Sequence, residues 1–273
     1  MDQTSPPDRI VRFYGNPNYA LETIALKQIT FIRSNKFNDP FDPHYRFITD
    51  FKDYNELVTS INQSSPDQVE HFTQALTEER FRQNMEKIKT RAADLCNRSY
   101  ILSTCSVRDN HHPKNELYMW SHYANGHRGI AIEFNFQLLS KSFESNPQVI
   151  WSGNMEYHDD IPTVTGNDFL KLMLQNDESE ITRKLNRTTR MKNELWKRER
   201  EWRFIIENGD TTLDFIRCNL PENSITSIYL GCRSETEMDK KLILEKSRNY
   251  PNAKVHKMKP HPSKFALDYD EIV

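Results

Sequence analysis

Two short segments of this chain carry side chains whose types and spacing could perform chemistry. The first runs from Trp120 to Asn125 and the second from Lys197 to Arg203. Positions three apart share one face of a helix, so Trp120 and Tyr123 could form an aromatic platform that stacks on a flat ring. The alternative is that both rings belong to a hydrophobic core beneath a sheet.

The second segment leads directly into the apolar sequence EWRFIIE, which predicts a buried strand. Because side chains alternate across a strand, we expect Glu199, Glu201 and Arg203 to share one face. Two carboxylates at this spacing repel each other and separate their pKa values, so that one can act as a base while the other orients it. The apolar run follows Glu201, so we expect the carboxylate of Glu201 to be the more buried and that of Glu199 to be the more solvent-exposed. The alternative is a solvated helix end with surface ion pairs of little energetic worth.

Arg12 and several histidines are the remaining candidates for chemistry. Arg12 lies among the apolar residues of a predicted first strand, where an unpaired guanidinium is costly. It would either grip a phosphate or carboxylate or face outward from an edge strand. His122 and His127 are five positions apart and therefore lie off one helical face, so no metal site is predicted.

The elements that must position these residues are strands separated by charge-rich helical segments. Strands are predicted at residues 9–14, 29–32, 100–106, 129–134, 149–157, 201–207, 212–217, 227–230, 254–258 and 265–267. Helical insertions are predicted at about 51–97 and 165–195. The sequence FNDPFD at 37–42 predicts a turn, which we expect at the rim of the pocket that the candidate residues would form. This order predicts one α+β domain over residues 1–273 with a mixed, mostly antiparallel sheet. The chain has no GxGxxG and no P-loop motif, which argues against those nucleotide sites.

Composition and charge narrow the classes of function further. The chain has 37 Lys and Arg against 39 Asp and Glu, a net charge of −2, so any contact with nucleic acid must come from a local patch. Its 4 cysteines form no CxxC pair and are predicted to be reduced thiols. The N-terminal sequence has no apolar signal, and no apolar run approaches the length of a membrane span. These features predict a cytoplasmic protein with no membrane partner.

With these residues in view, the chain resembles the uncharacterised bacterial family called domain of unknown function 2971. The resemblance covers nearly the whole length. It rests on FNDPFD at 37–42, LS at 102–103, MWSHYA at 119–124 leading to Gly129 and Phe134, the segments 149–157 and 196–203, and IYLG at 228–231.

The order of elements is also similar to that of the ADP-ribosyltransferase superfamily. In that superfamily an Arg or His lies on the first strand, a Ser-Thr-Ser strand or a Tyr in the middle, and a Glu, often within Glu-x-Glu, on a later strand. The matching residues here are Arg12, Ser103-Thr104-Cys105 with Tyr123, and Glu199-x-Glu201, with Cys105 in place of the third serine. The similarity implies a sheet core of ADP-ribosyltransferase-like type and a transferase that cleaves the nicotinamide glycosidic bond of NAD.

The same similarity implies a role for each candidate residue. Glu201 would stabilise the cationic transition state, and Glu199 would activate the acceptor, which is a protein or a nucleic acid. The implied catalytic residues are Glu201, Glu199 and Tyr123, and the implied NAD contacts are Arg12, Ser103, Trp120, His122, Tyr123 and Arg203. The resemblance also suggests a bacterial toxin or phage-defence effector, with an antitoxin or another defence-system partner.

Two alternatives from other classes stay open on the sequence. One is a nuclease or other RNA-acting enzyme that uses His122, Glu201 and the Arg-rich segment 198–203. The other is a non-catalytic ligand-sensing module, in which Trp120 and Tyr123 line a pocket and the carboxylates are structural.

Overall fold

The computed structural model describes residues 5–37, 48–107, 112–161, 163–175 and 179–272, and its centre is a ten-stranded sheet. The strands are β1 Arg9–Tyr14, β2 Gln28–Arg33, β3 Ile48–Thr49, β4 Ser99–Val107, β5 Ile130–Asn135, β6 Val149–Asn154, β7 Glu156–Tyr157, β8 Thr163–Val164, β9 Met191–Lys192, β10 Glu201–Glu207, β11 Phe215–Asn219, β12 Ile225–Leu230, β13 Lys254–Pro260 and β14 Leu267–Glu271. The α-helices are α1 Pro17–Leu26, α2 Tyr54–Ser64, α3 Val69–Ala75, α4 Glu78–Arg98, α5 Leu117–His122, α6 Phe136–Glu144, α7 Gly166–Gln175, α8 Ser179–Thr188 and α9 Thr236–Asn249. No helix in these described ranges is both long enough and apolar enough to cross a membrane.

Strand pairing in the large sheet is antiparallel except between β12 and β13, which run parallel. The main path runs β11-β2-β4-β1-β5-β12-β13-β14, and β10 pairs with β4 and with β6. The predicted α+β class with a mixed, mostly antiparallel sheet is therefore confirmed. The ADP-ribosyltransferase-like character of this core stays a prediction.

The three strands that carry the candidate residues lie side by side. Cys105 on β4 is paired with Val11 on β1 and with Glu201 on β10. Two strand spacings of about 4.8 Å therefore separate the backbones of β1 and β10 at this level. The predicted adjacency of the Arg12, Ser103 and Glu201 strands is confirmed.

The helical segments form a hydrophobic cluster of their own. Apolar side chains from the first predicted insertion pack against those of the second, with Phe51, Leu57, Ile61, Phe72, Leu76, Phe81 and Ile88 from the first and Val164, Phe169, Ile181 and Leu185 from the second. Each amphipathic helix exposes one apolar stripe, which the helices of the other segment cover. The main cluster instead joins the sheet to α1, α6 and α9.

The second predicted helical insertion, at about 165–195, is wrong after residue 188. The helix ends at Thr188, and residues 191–192 form β9, which pairs in parallel with β7. The hydroxyl groups of Thr188 and Thr189 bond to carbonyl oxygens of the last helical turn, which favours a helix end there. This change of direction brings Lys192 to the edge of the candidate site. The predicted turn at 37–42 lies outside the described residues except for Phe37, which is half-buried.

Candidate functional site

A cavity of about 310 Å³ opens beside the junction of β1, β4 and β10. Its walls come from Val11, Arg12, Phe13, Ile32, Lys36, Phe37, Ile101, Ser103, Thr104, Cys105, Met119, Tyr123, Lys192, Glu199 and Glu201. Both predicted carboxylates therefore reach one space, together with a tyrosine and three cationic side chains. That volume is at the small end of the range for ligand pockets.

A left-handed residue directs both carboxylates into the cavity. Residues Glu194–Glu199 form a 3-10 helix, Arg200 follows with φ 47° and ψ 48°, and β10 begins at Glu201. The prediction that Glu199 lies on the strand is wrong, because the chain is still helical there. The alternation rule holds for Glu201 and Arg203, which are both on β10. The turn at Arg200 nevertheless lets both carboxylates converge on one ammonium group.

Lys192 is that ammonium group, and sequence reasoning missed it. Its Nζ lies 2.5 Å from Oε2 of Glu199 and 3.1 Å from Oε2 of Glu201, and its side chain is 7% exposed. The signal for it was indirect. Two buried carboxylates need more positive charge than Arg203 alone supplies, but the sequence offers several nearby lysines and arginines.

Glu201 is held in its ionised form by a buried guanidinium. Nε of Arg203 donates to Oε1 of Glu201, and Nη2 donates to Oε2 at 3.1 Å. Arg203 is 0% exposed and also donates to the carbonyl oxygen of Thr189 at 3.1 Å. Burial alone would raise the pKa of Glu201, but Arg203 and Lys192 outweigh burial and hold that pKa below its ordinary value. Ser103 is paired with Arg203 across the strands, and its Oγ is buried without a hydrogen-bond partner among the described residues.

Glu199 has the opposite shift. Burial raises its pKa, and the negative charge of Glu201 adds to that effect, while Lys192 opposes it. The hydroxyl of Tyr123 donates a hydrogen bond to Oε1 of Glu199. Burial also raises the pKa of Tyr123, which keeps it a neutral donor. The predicted wet position of Glu199 is wrong, because Tyr123 and Lys192 cover it and leave it 3% exposed.

Tyr157 on β7 is a second residue that sequence reasoning did not assign. Its hydroxyl oxygen accepts a hydrogen bond of 2.9 Å from the backbone N–H of Glu201. This contact fixes the start of β10 beside the cavity. The residue lies within the segment 149–157 that carried the resemblance, but a tyrosine at the end of an interrupted strand gave no sign of this partner.

Trp120 is not part of the cavity, which corrects the predicted aromatic platform. It is 0% exposed, its ring packs edge-on against Phe13 at 5.3 Å, and its Nε1 donates to the carbonyl oxygen of Pro113 at 2.9 Å. The face of α5 toward the cavity carries Met119, four positions before Tyr123. Trp120 therefore belongs to the core, as the alternative interpretation had it.

His122 also lies away from the cavity and is exposed. Its ring contacts that of Tyr118, with centroids 4.3 Å apart. The structure therefore places His122 outside the cavity that holds Glu199 and Glu201, and the NAD contact through His122 stays a prediction. The RNA-cleaving alternative also lacks a histidine beside Glu201 in the part of the cavity wall that the structure describes.

Arg12 stands between two cavities. Its Nη1 donates to the carbonyl oxygen of Thr30 at 2.7 Å, and its guanidinium lies over the ring of Tyr14 at 5.2 Å. A second cavity of about 410 Å³ shares four lining residues with the first, namely Arg12, Phe13, Ile32 and Lys36. Two cations therefore lie in the wall common to both spaces, which suits an anionic group there.

The remaining polar groups of the site favour neither a thiol nucleophile nor a metal. Burial and the neighbouring charges of Glu199 and Glu201 raise the pKa of Cys105 well above its ordinary value, so its thiol stays protonated. Across the residues that the structure describes, no group of three or more His, Cys, Asp and Glu side chains could hold a metal ion.

Residues 119–204 match the model of a family described as "Protein of unknown function (DUF2971)". The matched range includes Tyr123, Lys192, Glu199, Glu201 and Arg203, and it excludes Arg12 and Ser103. No curated protein and no solved structure matched the chain. The predicted resemblance to this family is thus supported for the segment that supplies both carboxylates.

Proposed function

We propose that this chain is an ADP-ribosyltransferase-like enzyme that cleaves the nicotinamide glycosidic bond of NAD. One observation carries the proposal. Lys192 bridges two buried carboxylates, Glu199 and Glu201, whose pKa values are shifted in opposite directions. Carboxyl groups that share a site but differ in pKa are suited to separate roles in one reaction.

Glu201 is suited to stabilise the electrophile. Cleavage of a glycosidic bond develops positive charge on the sugar ring. A carboxylate that stays ionised in a buried site stabilises such charge far more strongly than one in water. Arg203 and Lys192 fix the orientation of Glu201, so little reorganisation is needed when the charge appears.

Glu199 is suited to accept the proton of the nucleophile. Its raised pKa makes it a better base than an ordinary carboxylate once it is ionised. In the proposed reaction the C1–N bond breaks and its electron pair leaves with neutral nicotinamide. The acceptor atom bonds to C1 of the ribose and passes its proton to Glu199. Tyr123 holds the carboxylate in place throughout.

The two adjoining cavities support a substrate made of two ring systems with an anionic link. NAD has this form, since two phosphates join its nicotinamide and adenine halves. The nicotinamide ribose would occupy the cavity with the carboxylates, and the adenosine half would occupy the second cavity. The phosphates would then lie against Arg12 and Lys36, which line both spaces. Guanidinium groups bind phosphate through two parallel hydrogen bonds.

The test is nicotinamide release from NAD by the purified protein, measured by chromatography with and without candidate acceptors. We expect Glu199→Gln to reduce transfer to the acceptor by roughly 10² to 10⁴, the usual contribution of a positioned base. Glu207→Gln is the matched control, because Glu207 lies at the far end of β10 from Glu201, has a 29% exposed side chain and pairs with Arg98 outside the cavity. Absence of nicotinamide release from the wild-type protein, with every acceptor, would contradict the proposal.

A non-catalytic ligand-sensing module is the second candidate, and one observation favours it. Both oxygens of Glu201 already accept hydrogen bonds from Arg203, and one also binds Lys192. Such a saturated carboxylate can serve a structural role. NAD that raises the melting temperature of the protein without releasing nicotinamide would favour this candidate over the transferase.

A further inference from the structure

A patch of aromatic and basic side chains lies beside Lys192, which lines the cavity. We call it the aromatic patch and define it by Tyr118, His122, Leu195, Trp196 and Arg198. The ring of Tyr118 lies 4.3 Å from that of His122 and 6.3 Å from that of Trp196, measured between centroids. Leu195 is 85% exposed, and His122 and Arg198 are exposed as well. Three flat rings thus meet at the surface beside an exposed cation.

The aromatic patch is connected to the carboxylates through Lys192. The ammonium group of Lys192 lies 5.2 Å from the ring of Trp196 on one side and 2.5 Å from Glu199 on the other. Tyr118 lies close enough to Glu199 for that charge to add to the effect of burial in raising the tyrosine's pKa. A molecule bound on the patch would therefore lie next to Lys192, the residue that separates the patch from the proposed base.

Rings and cations in alternation are the features that bind single-stranded nucleic acid. Bases stack on aromatic side chains, and lysine or arginine contacts the phosphates between them. Here the segment 195–198 supplies Trp196 and the exposed cation Arg198, whereas Lys197 between them is exposed but pairs with Glu194 at 2.7 Å. The chain as a whole carries a net charge of −2, so long-range attraction contributes little, and binding would depend on these local contacts.

We propose that the aromatic patch binds single-stranded nucleic acid and that this strand is the acceptor of the ADP-ribosyl group. The acceptor step rests on the proposed function, whereas binding to the patch does not. In that step a hydroxyl or amine of one nucleotide bonds to C1 of the ribose as nicotinamide leaves, and its proton passes to Glu199.

Binding is tested first, without NAD. A fluorescein-labelled single-stranded RNA dodecamer, the DNA strand of the same sequence and the corresponding duplex are titrated with protein, and fluorescence anisotropy is recorded at several salt concentrations. We expect both single strands to bind more tightly than the duplex. Trp196→Ala should weaken binding between about 5-fold and 150-fold, which corresponds to the loss of one stacked base.

Arg198→Gln separates phosphate contact from stacking. It should weaken binding and reduce the slope of log affinity against log salt by about 0.7, the value for one phosphate of a single strand. Arg82→Gln on α4 is the matched control, because Arg82 is an exposed arginine with a 65% exposed side chain that lies outside the patch. No binding at low salt, or binding that Trp196→Ala leaves unchanged, would overturn the proposal.

The acceptor step is tested separately with NAD labelled in its adenylate phosphate. A bacterial lysate is incubated with protein and labelled NAD, and the products are treated with nuclease or with protease. Label that nuclease releases and protease does not supports the nucleic-acid acceptor. Label that only protease releases identifies a protein acceptor and contradicts this inference while leaving NAD cleavage intact. Strand binding without any nicotinamide release would contradict the proposed function and the acceptor step with it, and would leave the binding site on the patch intact.

Discussion

The buried pair between Glu201 and Arg203 gives the sharpest test of the site's energetics. Glu201→Gln keeps the shape of the side chain but removes its charge. The amide retains one acceptor oxygen, while its NH₂ group would face donors from Arg203 or Lys192. Arg203 is 0% exposed and would keep only part of its hydrogen bonding. We therefore expect the substitution to destabilise the fold as well as the chemistry.

The magnitude follows from the burial of both partners. Removing one member of a buried ion pair costs about 3 to 5 kcal/mol, because the other charge is left uncompensated. For a domain of this size that free energy corresponds to a fall of roughly 6 to 20 °C in melting temperature. Replacing both partners, in Glu201→Leu with Arg203→Met, should recover much of the loss, since no unpaired charge remains. Lys192 still has Glu199 as its partner in the double variant.

The assay is denaturant unfolding of the wild type, each single variant and the double variant at several pH values. Because the pKa of Glu201 is lowered in the folded state, its contribution is present above its ordinary value of 4.5 and is lost as the pH falls through the folded pKa. The deficit of Glu201→Gln should therefore be largest at neutral pH and shrink in acid. A deficit below about 1 kcal/mol at pH 7 would refute the reasoning, because surface pairs contribute that little.

Three further predictions concern the neighbouring backbone and the second carboxylate. The pKa of Glu199 is raised in the folded state, so its contribution to stability is present below its ordinary pKa of 4.5 and is lost as the pH rises through the folded pKa. Unfolding measurements should therefore show Glu199→Gln gaining stability relative to the wild type between acid and neutral pH. Arg200 has φ 47°, so thermal melting should show Arg200→Ile at least about 1 kcal/mol less stable than Arg200→Gly. A Cβ on Gly129 would collide with the carbonyl oxygen of Tyr14, so Gly129→Ala should cost about 1 to 3 kcal/mol by denaturant unfolding, and Gly209→Ala, with open space around it, should not.

Much of the sheet could be predicted because its strands are short apolar runs with clear boundaries. The segment EWRFIIE predicted a strand at 201–207, and β10 has the same limits. The end of α8 was missed because the charged residues after it continue a helix-like composition. Only the fold supplies the reason for the break, since β9 pairs with β7 more than thirty residues earlier in the chain.

The site was predictable in its residue types and not in its geometry. The alternation of side chains along a predicted strand identified Glu199, Glu201 and Arg203, and all three do lie in one cluster. The positions of Glu199 and Trp120 were wrong for separate physical reasons. A single left-handed residue at 200 places Glu199 at the end of a 3-10 helix. The prediction paired Trp120 with Tyr123 at a spacing of three residues, but Trp120 belongs to the core. The residue that lines the cavity with Tyr123 is Met119, four positions before it.

The buried cluster of Lys192, Glu199, Glu201 and Arg203 consists of charged groups, and this composition needs a physical explanation. Two carboxylates, one ammonium and one guanidinium lie almost fully buried within a few ångströms of one another. Well-packed apolar side chains would serve stability at least as well at such positions. The cluster also borders a cavity, where burial raises the pKa of Glu199 while the charges of Arg203 and Lys192 outweigh burial and lower the pKa of Glu201. A purely structural ion cluster has no need of that separation, whereas a reaction that stabilises a cation with one carboxylate and removes a proton with the other does.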